Sequence, residues 1–336
     1  MFRAYAVEKP KTPLKPITYD PGVLGPDEVE INVQFCGICH SDLSMIDNEW
    51  GMTKYPLVPG HEVAGTVGAI GSNVKHLEVG RRVGLGWMAG SCMTCRQCLS
   101  GQHSLCPWAE ATIVGRHGGF ADKVRCKAAF AIPIPDPLDL KKAGPLFCGG
   151  STVFNPMIQF DVKPTMRVGV VGIGGLGHMA LMFLNKWGCE VTAFTSSDSK
   201  RDEAMSLGAH RAVNSRDPAA VKAIAGQLDY IISTVNVSLD WPAYLSTLAP
   251  RGRLHMVGVV PEPMQIPVFS LLPEQKQVSA SPVGPPAVQL QMVDFCARHK
   301  IAPVTEHFPM SRVNEAMDHL RAGKARYRIV LENDFK

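Results

Sequence analysis

Cys92, Cys95, Cys98 and Cys106 stand at C-x2-C-x2-C-x7-C spacing, with Gly90, Ser91, Gly101 and Pro107 around them. Four thiolates brought together by tight turns complete a tetrahedral zinc shell, with about 2.3 Å metal–sulfur bonds and no open position, which makes such a site structural. An iron–sulfur cluster also draws on closely spaced cysteines, and ordinary buried thiols are the third reading, although four within fifteen residues are hard to explain as core packing. A second set of ligand types is dispersed: Cys36, Cys39 and His40 in FCGICHSD, His61 and Glu62 in PLVPGHEVAG, and Cys148 alone in LFCGGSTVF. Cys39, His61 and Cys148 together would make a Cys2His set whose fourth position is left for water, an alkoxide or a carbonyl oxygen, as catalytic zinc needs. Spacing alone does not group these three, and a lone histidine or cysteine is more often an ordinary buried residue.

A glycine fingerprint, Gly172-Ile173-Gly174-Gly175-Leu176-Gly177, follows the apolar run Arg167–Val171 and opens a helical pattern. Alone it is weak evidence, but between a strand and a helix it lets a pyrophosphate sit on the helix N-terminus, the geometry of dinucleotide binding. About 20 residues further on, an NAD site offers Asp or Glu to the ribose hydroxyls. This chain offers Thr195, Ser196 and Ser197, followed by Lys200 and Arg201. Hydroxyls and cations can donate to a 2′-phosphate that an acid would repel, so NADP(H) is favoured. Asp198 runs against this, since it could still read a ribose, and the basic pair could simply be a solvated helix start.

These residues need two kinds of scaffold. With 336 residues, 46% of them hydrophobic, the chain has the length and apolar content for two packed domains. From Met1 to about Phe147, Gly, Pro and short β-branched runs (Val29–Val33, His61–Val67, Arg82–Leu85) predict an irregular, mostly antiparallel β domain. From Arg167 the pattern becomes strand Arg167–Val171, helix Leu176–Trp187 ended by Gly188, and strand Glu190–Thr195, a βαβ unit. Strands at Asp229–Thr234 and Arg253–Val259, with helices around Lys200–Leu207 and Pro218–Ala225, extend it into a doubly wound sheet. Ala287–His299 and Arg312–Ala322 read as amphipathic helices, and Arg326–Leu331 as a strand returning to the first domain.

Lys+Arg 34 against Asp+Glu 30, with no basic block, leaves no electrostatic footprint for nucleic acid or an anionic membrane, so a small molecule is the expected partner. The glycine-broken stretch Val168–Leu184 falls short of a membrane span, which needs roughly 20 apolar residues. Met1–Lys11 lacks the apolar core of a signal peptide, so a cytoplasmic location is expected, where ten cysteines serve metals or catalysis rather than disulfides.

The GICHSD run, GHE at Gly60–Glu62, the four-cysteine loop, the glycine fingerprint, NVSLDW at Asn236–Trp241 and ARYRIVL near the end are similar to those of the zinc-dependent medium-chain alcohol dehydrogenases. The chain most resembles their cinnamyl-alcohol-dehydrogenase branch and its bacterial NADPH-dependent aldehyde reductases, over essentially its whole length. The resemblance implies that Cys39, His61 and Cys148 hold a catalytic zinc, with Glu62 able to occupy the fourth position, and that Cys92, Cys95, Cys98 and Cys106 hold a second zinc. It implies that Asp42 holds the metal-bound imidazole, which fixes its tautomer and basicity, and that Ser41 hands a proton to or from the substrate oxygen. It places His40 near the cofactor pyrophosphate, Trp50 and Trp87 in the substrate pocket, and Thr152 and Val257–Gly258–Val259 near the nicotinamide; Met88 joins the pocket residues. The sequence departs from the family where a histidine often ends the proton relay: that position holds Ser44.

The expected fold is therefore α/β, a Rossmann doubly wound parallel sheet (149–286) plus a GroES-like β domain (1–148 and 287–336), with the active site in the cleft between them. The expected function is a zinc- and NADP(H)-dependent aldehyde reductase or primary-alcohol dehydrogenase, acting on a small-molecule aldehyde or alcohol as a homodimer. An NAD-dependent polyol dehydrogenase and a non-catalytic, zinc-stabilised nucleotide-binding protein are the rivals; Ser196 argues against the first, and the complete Cys39, His61 and Cys148 set against the second. Cys36, Cys126, Cys189 and Cys296 are expected to be buried thiols.

Overall fold

Val29, Ile31 and Val33 alternate inward along an 11-residue strand, Glu28–Ile38, and all three are buried. The computed structural model describes residues 1–196 and 198–335, and this strand is the centre of one of its two units, made of Met1–Ser151 and the chain from Gly284 onward. Its N-terminal half pairs antiparallel with Lys123–Lys127, its C-terminal half with Arg328–Glu332, and its length with Glu62–Ile70. Beyond these lie Arg82–Leu85 and Ile132–Pro133 on one side and Thr305–Pro309 on the other. The C-terminal segment does return to this sheet, with Ile329 opposite Ile38 and Leu331 opposite Cys36.

The return matters for the chemistry. The central strand runs directly into Cys39 and the helix His40–Ile46, so whatever packs against Gly37 and Ile38 also reaches that cysteine. Gly37 is paired with Glu62 on the neighbouring strand, which places His61 and Glu62 at the same end. Cys148 comes to that end on a short helical turn, Gly144–Phe147, because Phe147 lies across Gly84. A Cβ at position 84 would fall 1.9 Å from the Phe147 ring.

The second unit, Thr152–Val283, holds a six-stranded sheet in the order Arg211–Asn214, Glu190–Thr195, Arg167–Val171, Leu228–Ser233, Leu248–Met256, Gln277–Ala280. Every neighbouring pair is parallel. The near-continuous apolar runs Val168–Val171 and Val191–Phe194 reflect this arrangement, since a parallel sheet is covered on both faces. Strand order reverses between Arg167–Val171 and Leu228–Ser233, and ligands bind in the crevice beyond the strand ends at such a switch point. On one face Trp241, Leu245, Leu248 and Leu254 pack with Phe194 and Ile231 into a buried cluster. The helix Gly177–Trp187 stops where expected, at Gly188, whose φ of 103° only glycine adopts readily.

Several elements differ from the sequence reading, which gave no strand at Arg211–Asn214, Gln277–Ala280 or Thr305–Pro309. The helix after Asp217 ends at Lys222 rather than Ala225, and the strand expected over Arg253–Val259 runs from Leu248 to Met256. Val257 and Gly258 instead turn back, both donating N–H to the Ser233 carbonyl at 3.0 and 3.2 Å. The helix Gly149–Gln159 was hidden by its own composition, with Gly149, Gly150 and Pro156 inside it. Among the described residues no helix is long and apolar enough to cross a membrane.

Glu30 fastens the central strand to Lys123–Lys127, accepting from Lys123 at 2.8 Å and Arg125 at 3.1 Å. Burial disfavours its charge, but the two cationic donors outweigh this and hold the carboxyl below its usual range. Replacing Glu30 with Gln is expected to cost about 1.5–3 kcal/mol at neutral pH, the range for hydrogen bonds to charged groups. A carboxyl lowered on folding stabilises fully above its unfolded value, so the deficit of the variant should be complete above pH 4.5 and vanish as pH falls through the lower folded value. Urea denaturation of both proteins at neutral and acid pH measures this.

Candidate active site and metal centres

The four sulfurs of Cys92, Cys95, Cys98 and Cys106 converge in the loop: Cys92 to Cys98 is 3.8 Å, Cys95 to Cys98 3.5 Å, Cys95 to Cys106 3.8 Å and Cys106 to Cys92 3.6 Å. A tetrahedron with about 2.3 Å metal–sulfur bonds has edges of about 3.8 Å, so these sulfurs fit one zinc ion. Backbone N–H groups prepare the thiolates. Thr94 and Cys95 bring the Cys92 thiol down to about 6, and the Trp108 N–H points at the Cys106 sulfur at 3.4 Å. Outside the sulfurs, the buried Ser91 hydroxyl lies 3.4 Å from Cys98 Sγ and 3.0 Å from His103 Nδ1, and Lys127 donates to the Ser91 carbonyl at 2.6 Å.

Cys39, His61, Glu62 and Cys148 form the second group, with ligand atoms all within 4.8 Å of one another and every residue buried. Cys39 and Cys148 sulfurs are 3.8 Å apart, and His61 Nε2 is 3.2 Å from the Cys148 sulfur. Asp42 explains the ring's orientation. Its Oδ1 lies 3.0 Å from His61 Nδ1 and accepts the Gly60 N–H at 2.9 Å, while Oδ2 accepts the Cys39 N–H at 2.9 Å. A carboxylate only accepts, so the imidazole carries its proton on Nδ1 and turns the Nε2 lone pair toward the sulfurs.

The charges at this site conflict without a cation. The Cys39 thiol is held well below its ordinary value, chiefly by a hydrogen bond with Cys148, and Cys148 is pushed well above its own by the same pairing. Burial opposes charging His61, yet Asp42 raises its pKa well above the ordinary imidazole value. Burial also raises Glu62, against the pull of Arg328. Arg328 donates to Glu62 Oε1, and Glu62 Oε2 has no hydrogen-bond partner. Two soft sulfurs, one oriented imidazole and an under-satisfied carboxylate oxygen fit zinc in an open site.

Around this group, Ser41 Oγ is 3.7 Å from the Cys39 sulfur, and Trp87 stands edge-on to His61 with ring centres 5.1 Å apart. Trp50 stands edge-on to Trp87 at 6.0 Å, and Met88 is buried beside it in sequence. His40, the first residue of its helix, is exposed. Ser44, where a histidine is often found, is buried and donates to Glu49 Oε2 at 2.7 Å; Glu49 itself is exposed.

In the second unit, Gly172 (φ 87°) makes the turn after Val171, and a Cβ there would strike Val235 at 2.6 Å. A Cβ on Gly174 would meet nothing within 4 Å, so the turn presents an open cradle of the kind a pyrophosphate occupies. The turn lines a cavity of about 600 Å³ together with Thr195, Ser196 and Lys200, which were singled out in sequence, and Ser215, Arg216 and Lys222, which were not. Gly177 is buried under the turn, and Gly175 and Leu176 lead into the helix. Arg201 opens the next helix and is exposed, while Thr152 lies half-buried on the helix Gly149–Gln159. Val259 is exposed just past the Val257–Gly258 turn. Ser197 lies outside the described residues.

Arg328 and Glu49 were also missed. A buried Arg328 is visible only as a cation at the start of the apolar run Ile329–Leu331, and nothing local pairs it with Glu62 across 266 residues.

Residues 25–136 match the family model "Alcohol dehydrogenase GroES-like domain" and residues 175–298 the model "Zinc-binding dehydrogenase". The chain is 58% identical over 333 residues to the aldehyde reductase AdhA of Synechocystis sp., covering 99% of each. Its fold is similar to that of a cinnamyl alcohol dehydrogenase of Sorghum bicolor, with a TM-score of 0.94 and 37% identity over 98% of this chain and 97% of that one. It is likewise similar to a cinnamyl alcohol dehydrogenase of Helicobacter pylori solved in complex with NADP(H), with a TM-score of 0.90 and 30% identity over the same shares of the two chains. The two units are thus the paired GroES-like and Rossmann domains of a dehydrogenase. The chain belongs to the zinc-dependent medium-chain alcohol dehydrogenase family, among its cinnamyl-alcohol-dehydrogenase-like members, and is an oxidoreductase.

Removing Arg328 strands a buried carboxylate, and breaking one side of a buried pair costs about 3–5 kcal/mol. Arg328→Met should therefore lower the urea midpoint sharply. Adding Glu62→Leu should recover most of the loss, because the uncompensated charge then goes too.

Proposed function

We propose that this chain is a zinc- and NADPH-dependent reductase of aldehydes with an apolar or aromatic tail, working reversibly as a primary-alcohol dehydrogenase. The observation that carries the reading is the Cys39, His61 and Cys148 group, oriented by Asp42 and walled by Trp87. When bound there, zinc supplies Lewis-acid polarisation of the carbonyl oxygen, and NADPH supplies the hydride. Asp42 keeps the His61 lone pair aimed at the metal position and sets its basicity. Trp87 and Trp50 exclude water and give an apolar tail two aromatic faces. Cys92, Cys95, Cys98 and Cys106 would hold the second zinc of each chain. Ser196, standing where an NAD site has an acid, and Lys200 on the same cavity support NADP(H). His40, Thr152 and the Val257–Val259 turn are the further cofactor contacts in this reading, with Gly172, Gly174 and Gly175 beneath the pyrophosphate. Thiolate ligands stay reduced in the cytoplasm, the location that suits this enzyme.

The alcohol oxygen needs a proton, and Ser41 supplies it. Ser41 and Ser44 lie three residues apart on one helix, hence on one face, and Ser44 hands on to Glu49 at the surface. A carboxylate that can exchange with water takes over the outer end of the relay from the absent histidine.

A homodimer is part of the proposal. Among the described residues the sheet-edge strand Gln277–Ala280 has a neighbour on one side only, and exposed Val268, Phe269 and Leu272 lie shortly before it in sequence. An unpaired edge with apolar residues close by is a surface that a second copy can cover.

NADPH oxidation with a panel of aldehydes, alongside a metal count, tests the assignment. Two zinc ions per chain are expected; one or none at full activity would overturn it. Cys39→Ser should abolish turnover with the fold and cofactor binding retained, whereas Cys92→Ser should lose stability first. If both variants lose only stability, the division into a working and a structural site is wrong. Ser41→Ala should lower kcat by about 10²-fold, the low end for positioned proton transfer, with little change in NADPH affinity. Glu49→Gln should cost less, since water can serve the outer end. An unaltered kcat in Ser41→Ala, where chemistry limits the rate, would remove Ser41 from the path.

A further inference from the structure

The cavity beyond the strand ends of the second unit is served by two successive segments. One follows the strand Glu190–Thr195 and brings Ser196 and Lys200. The other follows Arg211–Asn214 and brings Ser215, Arg216 and Lys222. Ser215 ties the two together: its N–H and its hydroxyl both donate to the Thr195 carbonyl, at 2.8 and 2.9 Å. Arg216, the next residue, is thereby held at the end of the strand that carries the ribose-reading position.

Cations outnumber carboxylates on this wall, three to one among the described residues. Among the described residues Lys200, Arg216 and Lys222 line the cavity without a carboxylate partner. Two nearby acids are each hydrogen-bonded to a helix N-terminus. Asp217 caps the helix Pro218–Lys222, accepting the Ala219 N–H at 2.9 Å, and Asp240, which does line the cavity, caps Trp241–Ser246 by accepting the Ala243 N–H at 3.3 Å. Three unpaired cations around one cavity are not what a neutral ribose diol requires. They suit a dianion, and a guanidinium meets phosphate with two parallel N–H donors where an ammonium offers a point charge.

We infer that Arg216, backed by Lys222, is a specificity-determining residue for the 2′-phosphate of NADP(H), gripping it from the segment after Arg211–Asn214 while Ser196 and Lys200 approach from the segment after Glu190–Thr195. The inference rests on the NADP(H) reading above and adds to it a second, independently mounted arm. It also explains how the site tolerates serines where other members of the fold class place a single decisive residue: the discrimination is shared across two loops.

The test uses the intact enzyme and two probes, 2′,5′-ADP and ADP, which differ by the phosphate in question, titrated by calorimetry. Arg216→Gln should raise the Kd for 2′,5′-ADP about tenfold, the low end for a charge-assisted bond at an exposed site. It should leave the Kd for ADP within about twofold, inside the scatter of a neutral surface change. The kcat/KM ratio of NADPH to NADH should fall by the same factor as the 2′,5′-ADP affinity. Arg216→Lys should recover only part of the loss, and Lys222→Gln should move the same quantities less. An unchanged 2′,5′-ADP affinity in Arg216→Gln would overturn the inference, as would an equal loss for both probes, which would put the guanidinium on the adenine or the pyrophosphate. Ser196→Asp separates the two levels. If the unaltered enzyme prefers 2′,5′-ADP and only Ser196→Asp removes that preference, the NADP(H) reading stands and the role of Arg216 falls. If the unaltered enzyme shows no preference for 2′,5′-ADP, both fall.

Discussion

One buried carboxylate holds together the end of the first unit where Cys39, His61, Glu62 and Cys148 meet. Asp42 receives the Cys39 N–H, the Gly60 N–H and His61 Nδ1, so its own segment and the distant Gly60–His61 segment share one acceptor. The first of these bonds also closes the N-terminus of the helix His40–Ile46, where a negative side chain is favoured by the helix dipole. A residue that would ordinarily only start a helix thus also sets the tautomer of a ligand. Its negative charge favours protonation of the imidazole, and a cation at Nε2 uses the same preference, because metal and proton compete for one lone pair.

The buried electrostatics carry the same logic further. Two sulfurs and the Glu62 carboxylate face the Arg328 guanidinium, and the Asp42 carboxylate is set against His61, all of them buried. Isolated charges in such surroundings are costly and ordinarily neutralise by shifting their pKa values, as the opposed shifts of Cys39 and Cys148 show. A divalent cation brings the set close to balance. Folding and binding of a metal at this site would for that reason be coupled, with Arg328 supplying the part of the balance that does not depend on the metal.

What was legible in the sequence follows from how local each constraint is. The four-cysteine loop and the glycine turn are made within a few residues, so spacing alone carried them, and Gly188 and the inner parallel strands announced themselves by chain conformation and apolar runs, whereas the short edge strands Arg211–Asn214 and Gln277–Ala280 carry no such run. The Cys39, His61 and Cys148 group is assembled by strand register and by Phe147 lying on Gly84, which no spacing rule encodes; only the resemblance to a family grouped them. Arg328 and Arg216 were invisible for a different reason. Each is an ordinary cation in sequence, and its meaning comes from what lies opposite it: Glu62 in one case, the cavity beside Ser196 in the other. The helix Gly149–Gln159 defeated propensity, since tertiary contacts outweigh the cost of two glycines and a proline there.

Serine stands at position 44, where the family resemblance leads one to expect a histidine. A histidine carries a proton by itself, accepting on one nitrogen while donating from the other, and so can stand at the end of a relay. A serine hydroxyl can pass a proton only if a second acceptor takes the one it gives up. Ser44 is buried, and the acceptor it meets is Glu49, five residues on and exposed, brought within 2.7 Å because the chain turns back after the helix with the Glu49 N–H bonded to the Ser44 carbonyl. Asn48, at φ 55°, makes that turn in the left-handed region that asparagine tolerates better than most residues. The backbone of the turn therefore decides the chemistry of the outer end. In the proposed relay, the pair held this way would do with a hydroxyl and a carboxylate what one imidazole does elsewhere, and the proton would reach solvent through a group that stays in exchange with it.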